Sequence, residues 1–127
     1  MKENILKKNV YDLMPEILKA AARRKLWIYG CGKGGGIIRD LLVGMNVPFA
    51  GMIDRQNFPK AMGGYPICKI NELKPEEDYI LISAMSFSLT CEMIKNCLYH
   101  GFSEMDFISF FEKRNAEVDA GTVVIPN

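Results

Sequence analysis

The fold is decided by a glycine-rich stretch that follows a short apolar run and reads Leu26-Trp27-Ile28-Tyr29-Gly30-Cys31-Gly32-Lys33-Gly34-Gly35-Gly36. Three of its glycines, Gly30, Gly32 and Gly35, match the pattern G-x-G-x-x-G, and the helix-like segment Ile37–Leu42 comes next. A strand, a glycine loop and a helix in this order form a turn whose backbone amides can hold a phosphate. The stretch therefore predicts an α/β fold with a phosphate-bearing ligand. The same pattern also occurs in tight turns that bind no ligand, and such a turn is the alternative interpretation of this stretch.

Strand-like and helix-like segments alternate along the rest of the chain. Apolar residues recur at helical spacing from Val10 to about Arg24, where Pro15 predicts either a kink or a helix that begins near it. Besides this helix and the one at Ile37–Leu42, a third helix, capped by Ser86 or Ser88, is expected to run to about His100. The remaining predictions are strands at Leu26–Tyr29, Phe49–Asp54, Tyr79–Ile82 and Met105–Ile108, a loop at Gln56–Tyr65, and a brief edge strand at Pro66–Cys68. This order predicts a three-layer Rossmann-like sandwich with about five mostly parallel strands.

The length of 127 residues fits one domain. Within it, residues 1–24 are expected to form an N-terminal helical extension. Its helix either packs on the sheet or serves as an interaction face. Residues 112–127 are expected to be a tail or linker, in which Val123–Ile125 is either an added strand or part of a connection to another domain.

Composition argues against several classes of protein. A net charge of +1 gives no basic surface for nucleic acid, and no apolar run approaches the roughly 20 residues that span a bilayer. The first residues contain no apolar segment of the secretory type. The four cysteines form no C-x-x-C pair and the chain has one histidine, so we expect no metal site. Reduced thiols in a cytoplasmic protein are the simplest expectation.

An acidic residue stands where a dinucleotide fold would need it. Asp54 follows Gly32 by 22 residues and ends the second predicted strand, where a carboxylate can accept hydrogen bonds from ribose hydroxyls.

Two other classes of glycine loop fit the sequence less well. A P-loop requires Ser or Thr after its lysine, but Gly34 follows Lys33. Many methyltransferases carry an acidic residue two positions before the first glycine, but Ile28 occupies that position here.

Four other residues near the predicted strand ends are candidates for ligand contact. Lys33 pairs with a phosphate or is a solvated charge. Arg55 contacts a 2′-phosphate or a base, or it faces solvent. Ser83 follows the third clear strand, at the sheet edge where ligands bind in open α/β folds. Cys31 is a reactive thiol near a helix start or a small bystander. No catalytic residue is predicted.

A family resemblance rests on four segments: Trp27–Gly35, Gly51–Asp54, Gly64–Ile67 followed by Asn71–Leu73, and Tyr79–Ala84. They resemble the motifs of small Rossmann-like domains in bacterial polysaccharide biosynthesis, such as the N-terminal domain of PglD-like acyltransferases and CoA-binding-like domains. The resemblance covers roughly Leu26 to Phe107. The β-helix hexapeptides that carry acetyl transfer in PglD-like enzymes do not follow.

The resemblance implies a nucleotide or nucleotide-sugar ligand held by the glycine loop, Asp54 and the strand end Ser83-Ala84. UDP-sugar or NAD(P) are the leading candidates, with CoA as a further one. Together with the residues above, the predicted binding set is Gly30, Cys31, Gly32, Lys33, Gly34, Gly35, Asp54, Arg55, Ser83 and Ala84.

Three hypotheses about function follow. The first is a binding module of sugar-nucleotide or polysaccharide biosynthesis, working with a fused or partner transferase domain. The second is a small NAD(P)-dependent oxidoreductase or sugar-nucleotide-modifying enzyme. The third is a regulatory domain with a vestigial pocket that dimerises through its N-terminal helix.

Overall fold

The computed structural model describes residues 3–7, 9–30, 32–54, 61–62, 64–115 and 123–124. Their elements, in chain order, are β1 Glu3–Lys7, α1 Val10–Arg23, β2 Lys25–Tyr29, α2 Lys33–Gly44, β3 Gly51–Ile53, β4 Ala61–Met62, β5 Tyr65–Cys68, a 3₁₀ turn Ile70–Glu72, β6 Asp78–Ile82, α3 Phe87–Tyr99, β7 Phe107–Ser109, β8 Phe111–Asn115 and β9 Val123–Val124.

The main sheet confirms the predicted α/β class. Five strands run parallel in the order β5-β3-β2-β6-β7. The short strand β4 pairs antiparallel with β5 on its outer side. The predictions of a loop over Gln56–Tyr65 and of an edge strand at Pro66–Cys68 were therefore wrong in part. A two-residue strand is too short to show a periodic pattern, so its pairing was not visible in the sequence.

Helices cover both faces of the sheet and give the three layers. On one face, α1 and α2 pack against β2 through apolar side chains that include Leu13, Met14, Ile17, Ile38, Leu42, Leu26 and Ile28. On the other face, α3 and the 3₁₀ turn pack through Ile70, Met93, Ile94, Cys97, Trp27 and Tyr29. Strand β2 is therefore buried on both sides, as its non-alternating apolar sequence predicted.

Helix α1 packs on the sheet, which was one of the two roles predicted for it. It begins at Val10, because the side chain of Asn9 accepts a 2.9 Å hydrogen bond from the backbone N–H of Tyr11 and caps the first turn. Pro15 therefore lies inside the helix and does not start it. None of the helices in the described part of the chain is long and apolar enough to cross a membrane.

A second, smaller sheet has the order β1-β8-β9, with both pairings antiparallel. Glu3 lies opposite Asn115 in β1 and β8, and Arg114 lies opposite Val123 in β8 and β9. The N-terminal segment therefore contains a strand before its helix, which differs from the helical extension expected over residues 1–24. Of the two alternatives for Val123–Ile125, the added strand is observed for Val123–Val124, and Ile125 lies outside the described residues.

Arg24 connects the elements at the amino end of the main sheet. Its guanidinium donates 2.7 Å hydrogen bonds to the carbonyl oxygen of Pro75 and to a carboxylate oxygen of Asp106. It also donates to the carbonyl oxygen of Met105 at 3.1 Å and lies 5.1 Å from the centre of the Tyr79 ring. One side chain thus ties together the turns that lead into β6 and β7.

Candidate functional site

The register of the three central strands brings the candidate residues to one edge of the sheet. Tyr29, the last residue of β2, lies opposite Ile53 of β3 and Ile82 of β6, which are the last residues of their strands. The next residue in each case is a predicted site residue: Gly30, Asp54 and Ser83. Because the three neighbouring strands end at the same height in the sheet, these three residues lie side by side at its edge.

Backbone hydrogen bonds hold this edge together. The N–H of Gly30 donates to the carbonyl oxygen of Ile53 at 2.7 Å, which fixes the start of the glycine turn beside the end of β3. The N–H of Asp54 donates to the carbonyl oxygen of Cys68 at 3.0 Å, and the N–H of Ser83 donates to that of Tyr29 at 3.2 Å. The site is therefore built on strand ends whose backbone positions are fixed by neighbouring strands.

The glycine turn is tighter than the sequence predicted. Helix α2 begins at Lys33, so Gly34, Gly35 and Gly36 belong to its first turns and are not part of a loop that lasts to Gly36. Gly30 has φ +117°, a conformation that L side chains rarely adopt. A Cβ at Gly35 would overlap the carbonyl oxygen of Gly30, and one at Gly34 would lie 2.6 Å from the carbonyl oxygen of Ser83. Close backbone approach explains the glycines at positions 34 and 35, but not Gly36, whose surroundings would admit a Cβ.

Above this edge lies a cavity of about 630 Å³, which we call the glycine-loop cleft. Its lining residues are Tyr29, Gly30, Gly32, Lys33, Gly34, Gly35, Ile37, Asp54, Ser83, Ala84, Met85, Ser86, Leu89 and Met93. Eight of the ten residues predicted for binding are in this set. The other two, Cys31 and Arg55, lie outside the described residues. The structure thus brings together every predicted binding residue that it describes.

The predicted residues differ in how their side chains meet the cleft. Ser83 is 2% exposed, and its hydroxyl donates a 2.7 Å hydrogen bond to the carbonyl oxygen of Tyr29. Ala84 is buried as well, whereas Asp54 is partly exposed and Lys33 is exposed. Lys33 and Asp54 therefore offer charged groups to a ligand, while Ser83 and Ala84 form the floor.

The amino end of α2 has no side-chain cap among the described residues. Its N-cap, Gly32, has no side chain to accept hydrogen bonds from the first-turn amides, and the first turn contains no acidic residue. Free amides and the helix dipole give such an end a partial positive charge, which a cation at Lys33 increases. Lysine at this position opposes helix stability, and it suits a site that receives an anion.

Helix α3 also points its amino end toward the cleft, but this end is capped internally. The side chain of Ser86 accepts a hydrogen bond from the N–H of Leu89 at 3.3 Å, as the prediction of Ser86 as a cap anticipated. The hydroxyl of Thr90 donates to the carbonyl oxygen of Ser86 at 2.8 Å. The Ser86 side chain thus caps α3, whereas the N-cap glycine of α2 has no side chain to do so.

A second cavity of about 250 Å³ adjoins the cleft and shares two of its residues, Tyr29 and Asp54. Its other lining residues are Lys69, Ile70, Asn71, Asn96 and His100. The amide of Asn96 donates to the hydroxyl of Tyr29 at 2.6 Å, and the Nδ1 atom of His100 lies 2.9 Å from the carbonyl oxygen of Asn96. This cavity was not predicted. The spacing of Asn96, near the end of α3, and His100, the residue directly after it, was the one signal for it in the sequence.

Two of the described cysteines have thiols whose pKa is raised, which disfavours the thiolate. Burial raises the pKa of the Cys97 thiol to about 12. Burial, aided by a hydrogen bond and the charge of Glu72, also raises the pKa of Cys68. No group of three or more potential metal ligands occurs among the residues that the structure describes.

No protein-family model matches the chain, and no curated protein matches it. Two solved structures of one protein are similar, both of the acetyltransferase domain of PglB from Neisseria gonorrhoeae FA1090. The structure in complex with acetyl coenzyme A has 20% sequence identity and a TM-score of 0.49, and the alignment covers 63% of this chain and 41% of that one. The structure without this ligand gives the same identity and TM-score over 62% and 41%. This chain thus spans less than half the length of those domains, and identity at this level identifies neither a ligand nor a reaction.

Proposed function

We propose that this chain binds a nucleotide-type ligand in the glycine-loop cleft, with the diphosphate on the amino end of α2 and the ribose on Asp54. UDP-sugars, NAD(P) and CoA all carry a diphosphate and a ribose. UDP-sugars and NAD keep the pair of adjacent ribose hydroxyls that Asp54 would bind, whereas the adenosine ribose of NADP and of CoA carries a phosphate there. The setting that the sequence resemblance implies is sugar-nucleotide or polysaccharide biosynthesis, in which the chain would act as a binding module.

The observation that carries this proposal is the uncapped amino end of α2 inside a cleft. The N-cap Gly32 leaves the first-turn amides to an external acceptor, and Lys33 adds a full positive charge beside them. A diphosphate satisfies those amides and neutralises that charge at once. Hydrogen bonds to charged groups contribute about 1.5–3 kcal/mol each, so this end of the cleft supplies most of the expected affinity.

Asp54 supports a ribose next to that diphosphate. It follows β3 directly, and the hydrogen bond from Gly30 to Ile53 holds the glycine turn beside it. A carboxylate has several acceptor sites, so it can bind a pair of adjacent hydroxyls. Among the described lining residues, Lys33 and Asp54 are the only acidic or basic side chains, so the charges that a ligand meets in the cleft come from these two.

Thermal unfolding with UDP, UDP-glucose, NAD and CoA tests the proposal. A ligand present at about one hundred times its Kd stabilises the folded state by about 2.7 kcal/mol, so the Tm should rise by several degrees. Asp54→Ala and Lys33→Ala should each weaken binding about tenfold or more, because each removes a charged partner of the ligand.

Lys95→Ala is the matched control, since Lys95 is exposed on α3 and does not line the cleft. It should bind like the wild type. The proposal is wrong if none of the four ligands raises the Tm. It is also wrong if the Asp54 and Lys33 variants, shown to be folded, bind as tightly as the wild type.

A further inference from the structure

One side of the glycine-loop cleft is apolar. Ile37 of α2, Met85 of the loop before α3, and Leu89 and Met93 of α3 line it, and we call these four residues the apolar wall. Ile37 is 51% exposed and Met85 is 45% exposed. The wall therefore leaves apolar surface in contact with water inside a concave site, where a ligand could cover it.

The apolar wall adjoins the uncapped helix end. A Cβ at Gly34 would lie 3.2 Å from the Cγ atom of Met85, so Met85 packs directly against the first turn of α2. Ile37 follows Gly34 by one helical turn. A ligand whose phosphates rest on α2 must therefore place its next group either on the wall or on the side of Asp54.

The side of the cleft that contains Asp54 is polar and opens into a separate cavity. The second cavity opens there and is lined by Lys69, Asn71, Asn96 and His100. These side chains provide hydrogen-bond donors and acceptors suited to a nucleoside. The polar half of a nucleotide-type ligand fits this side, which leaves the apolar wall for the group beyond the diphosphate.

Sugar hydroxyls would find few partners at the wall. Of the described polar side chains next to it, Ser83 donates its hydroxyl proton to the carbonyl oxygen of Tyr29. Ser86 accepts from the N–H of Leu89 and keeps its hydroxyl proton, so it can meet one or two of the several hydroxyls of a hexose. A hexose placed against Met85 and Leu89 would lose hydrogen bonds with water that these residues cannot replace.

We infer that the preferred ligand is a nucleoside diphosphate whose distal phosphate carries a flexible, largely apolar chain, and that this chain lies along the apolar wall. The inference rests on the proposed function and narrows its ligand class. It places the nucleoside toward Asp54 and the second cavity, and the chain toward α3. Among nucleotide-type ligands it favours those with an alkyl or acyl-bearing arm over those with an unmodified hexose.

A homologous series of probes tests this inference by calorimetry on the full chain. The probes are UDP and ADP, UDP-glucose, and the methyl, butyl and hexyl esters of the two diphosphates at the distal phosphate. Each methylene that the wall covers should lower the Kd by up to about fourfold, since a buried CH₂ contributes about 0.8 kcal/mol. UDP-glucose should bind no more tightly than UDP.

Two variants locate the effect. Met85→Ser should flatten the dependence of log Kd on chain length, because it removes apolar surface from the wall. Met105→Ser is the control: Met105 is 79% exposed and does not line the cleft, so the dependence should not change.

The outcomes separate this inference from the proposed function. If UDP or ADP binds but chain length has no effect, or if UDP-glucose binds more tightly than the butyl ester, the inference is wrong and the proposed function stands. A chain-length dependence that Met85→Ser leaves unchanged also overturns the inference. If no diphosphate binds, both proposals fail.

Discussion

The hydroxyl of Ser83 donates a 2.7 Å hydrogen bond to the carbonyl oxygen of Tyr29. The same carbonyl oxygen accepts the backbone N–H of Ser83 at 3.2 Å. The two contacts join the end of β6 to the end of β2 under the glycine-loop cleft. Since a Cβ at Gly30 would lie 2.8 Å from the Oγ atom of Ser83, the hydroxyl also occupies the space that glycine leaves open. Ser83 thus positions the floor of the cleft.

Ser83→Ala should lower the free energy of unfolding by about 1 kcal/mol, measured by urea denaturation. The loss is modest because the Tyr29 carbonyl keeps its backbone donor. Ser88→Ala is the matched control: Ser88 is exposed on α3, so its replacement should change stability by no more than about 0.5 kcal/mol. Equal effects of the two variants would contradict the role assigned to the Ser83 hydroxyl.

Gly34 and Gly36 form a matched pair within one helix. Gly34→Ala should destabilise the protein by about 1–3 kcal/mol, because the new methyl group meets the carbonyl oxygen of Ser83 at 2.6 Å. Gly36→Ala should stabilise it by up to about 1 kcal/mol, because the nearest atom is a terminal nitrogen of Arg39 at 3.9 Å and alanine favours the helix. Thermal or urea denaturation measures both, and the same sign for both variants would argue against the close approach at Gly34.

Arg24→Ala should lower the free energy of unfolding by about 2 kcal/mol, since it removes hydrogen bonds to Pro75, Asp106 and Met105 at once. Arg24→Lys keeps the charge but not the planar set of donors, so it should recover only part of the loss. Arg23→Ala, at the exposed neighbouring position, is the control and should be close to neutral. If Arg24→Lys had the same free energy of unfolding as the wild type, the positive charge alone, and not the guanidinium geometry, would stabilise the amino end of the main sheet.

Stability should also depend on pH through Asp106. Burial acts to raise the pKa of this carboxyl, but hydrogen bonds from Ser103 and Arg24 together with the Arg24 charge outweigh it and hold the pKa below its usual range. A lowered folded-state pKa stabilises the protein above the unfolded value of about 3.9, and that contribution is lost as the pH falls through the folded value. The stability difference between wild type and Asp106→Asn should therefore shrink on going from about pH 6 to about pH 2.

Repeating this comparison in an Arg24→Ala background checks the cause. Without the guanidinium, the pH dependence of the Asp106→Asn effect should become weaker. If it stays the same, Arg24 is not a source of the pKa shift and the hydrogen bonds from Ser103 at 2.8 and 3.0 Å carry it.

Local sequence signals were enough to predict the centre of the fold. Gly30 and Gly35 could be placed because a tight turn and a close helix approach each require glycine. Asp54 follows a strand as expected, and its binding of ribose stays a prediction. The parallel direction of the strands followed from their alternation with helices along the chain, whereas the order of the strands in the sheet was not predicted. The start of α2 was placed too late, because glycine is a poor helix former and its steric role at Gly34 depends on Ser83, far away in sequence.

Long-range pairing could not be predicted in the same way. The segment Glu3–Lys7 is polar and short, and it becomes a strand only because β8, more than a hundred residues later, pairs with it. The second cavity was missed for a similar reason, since Lys69 and Asn96 meet only after β5 and α3 have packed on the same sheet. Leu89 and Met93 lie in a helix that was predicted, but their position beside the cleft became visible only in three dimensions.

The central position of β2 has a consequence for hydrogen exchange. Its amides pair with β3 and β6 and lie under helices on both faces, so they should exchange with solvent only through global unfolding. A ligand held at the end of this strand stabilises the whole folded state, and it would slow deuterium uptake throughout β2 and β6. Occupancy of the cleft can therefore be measured at amides that the ligand does not touch.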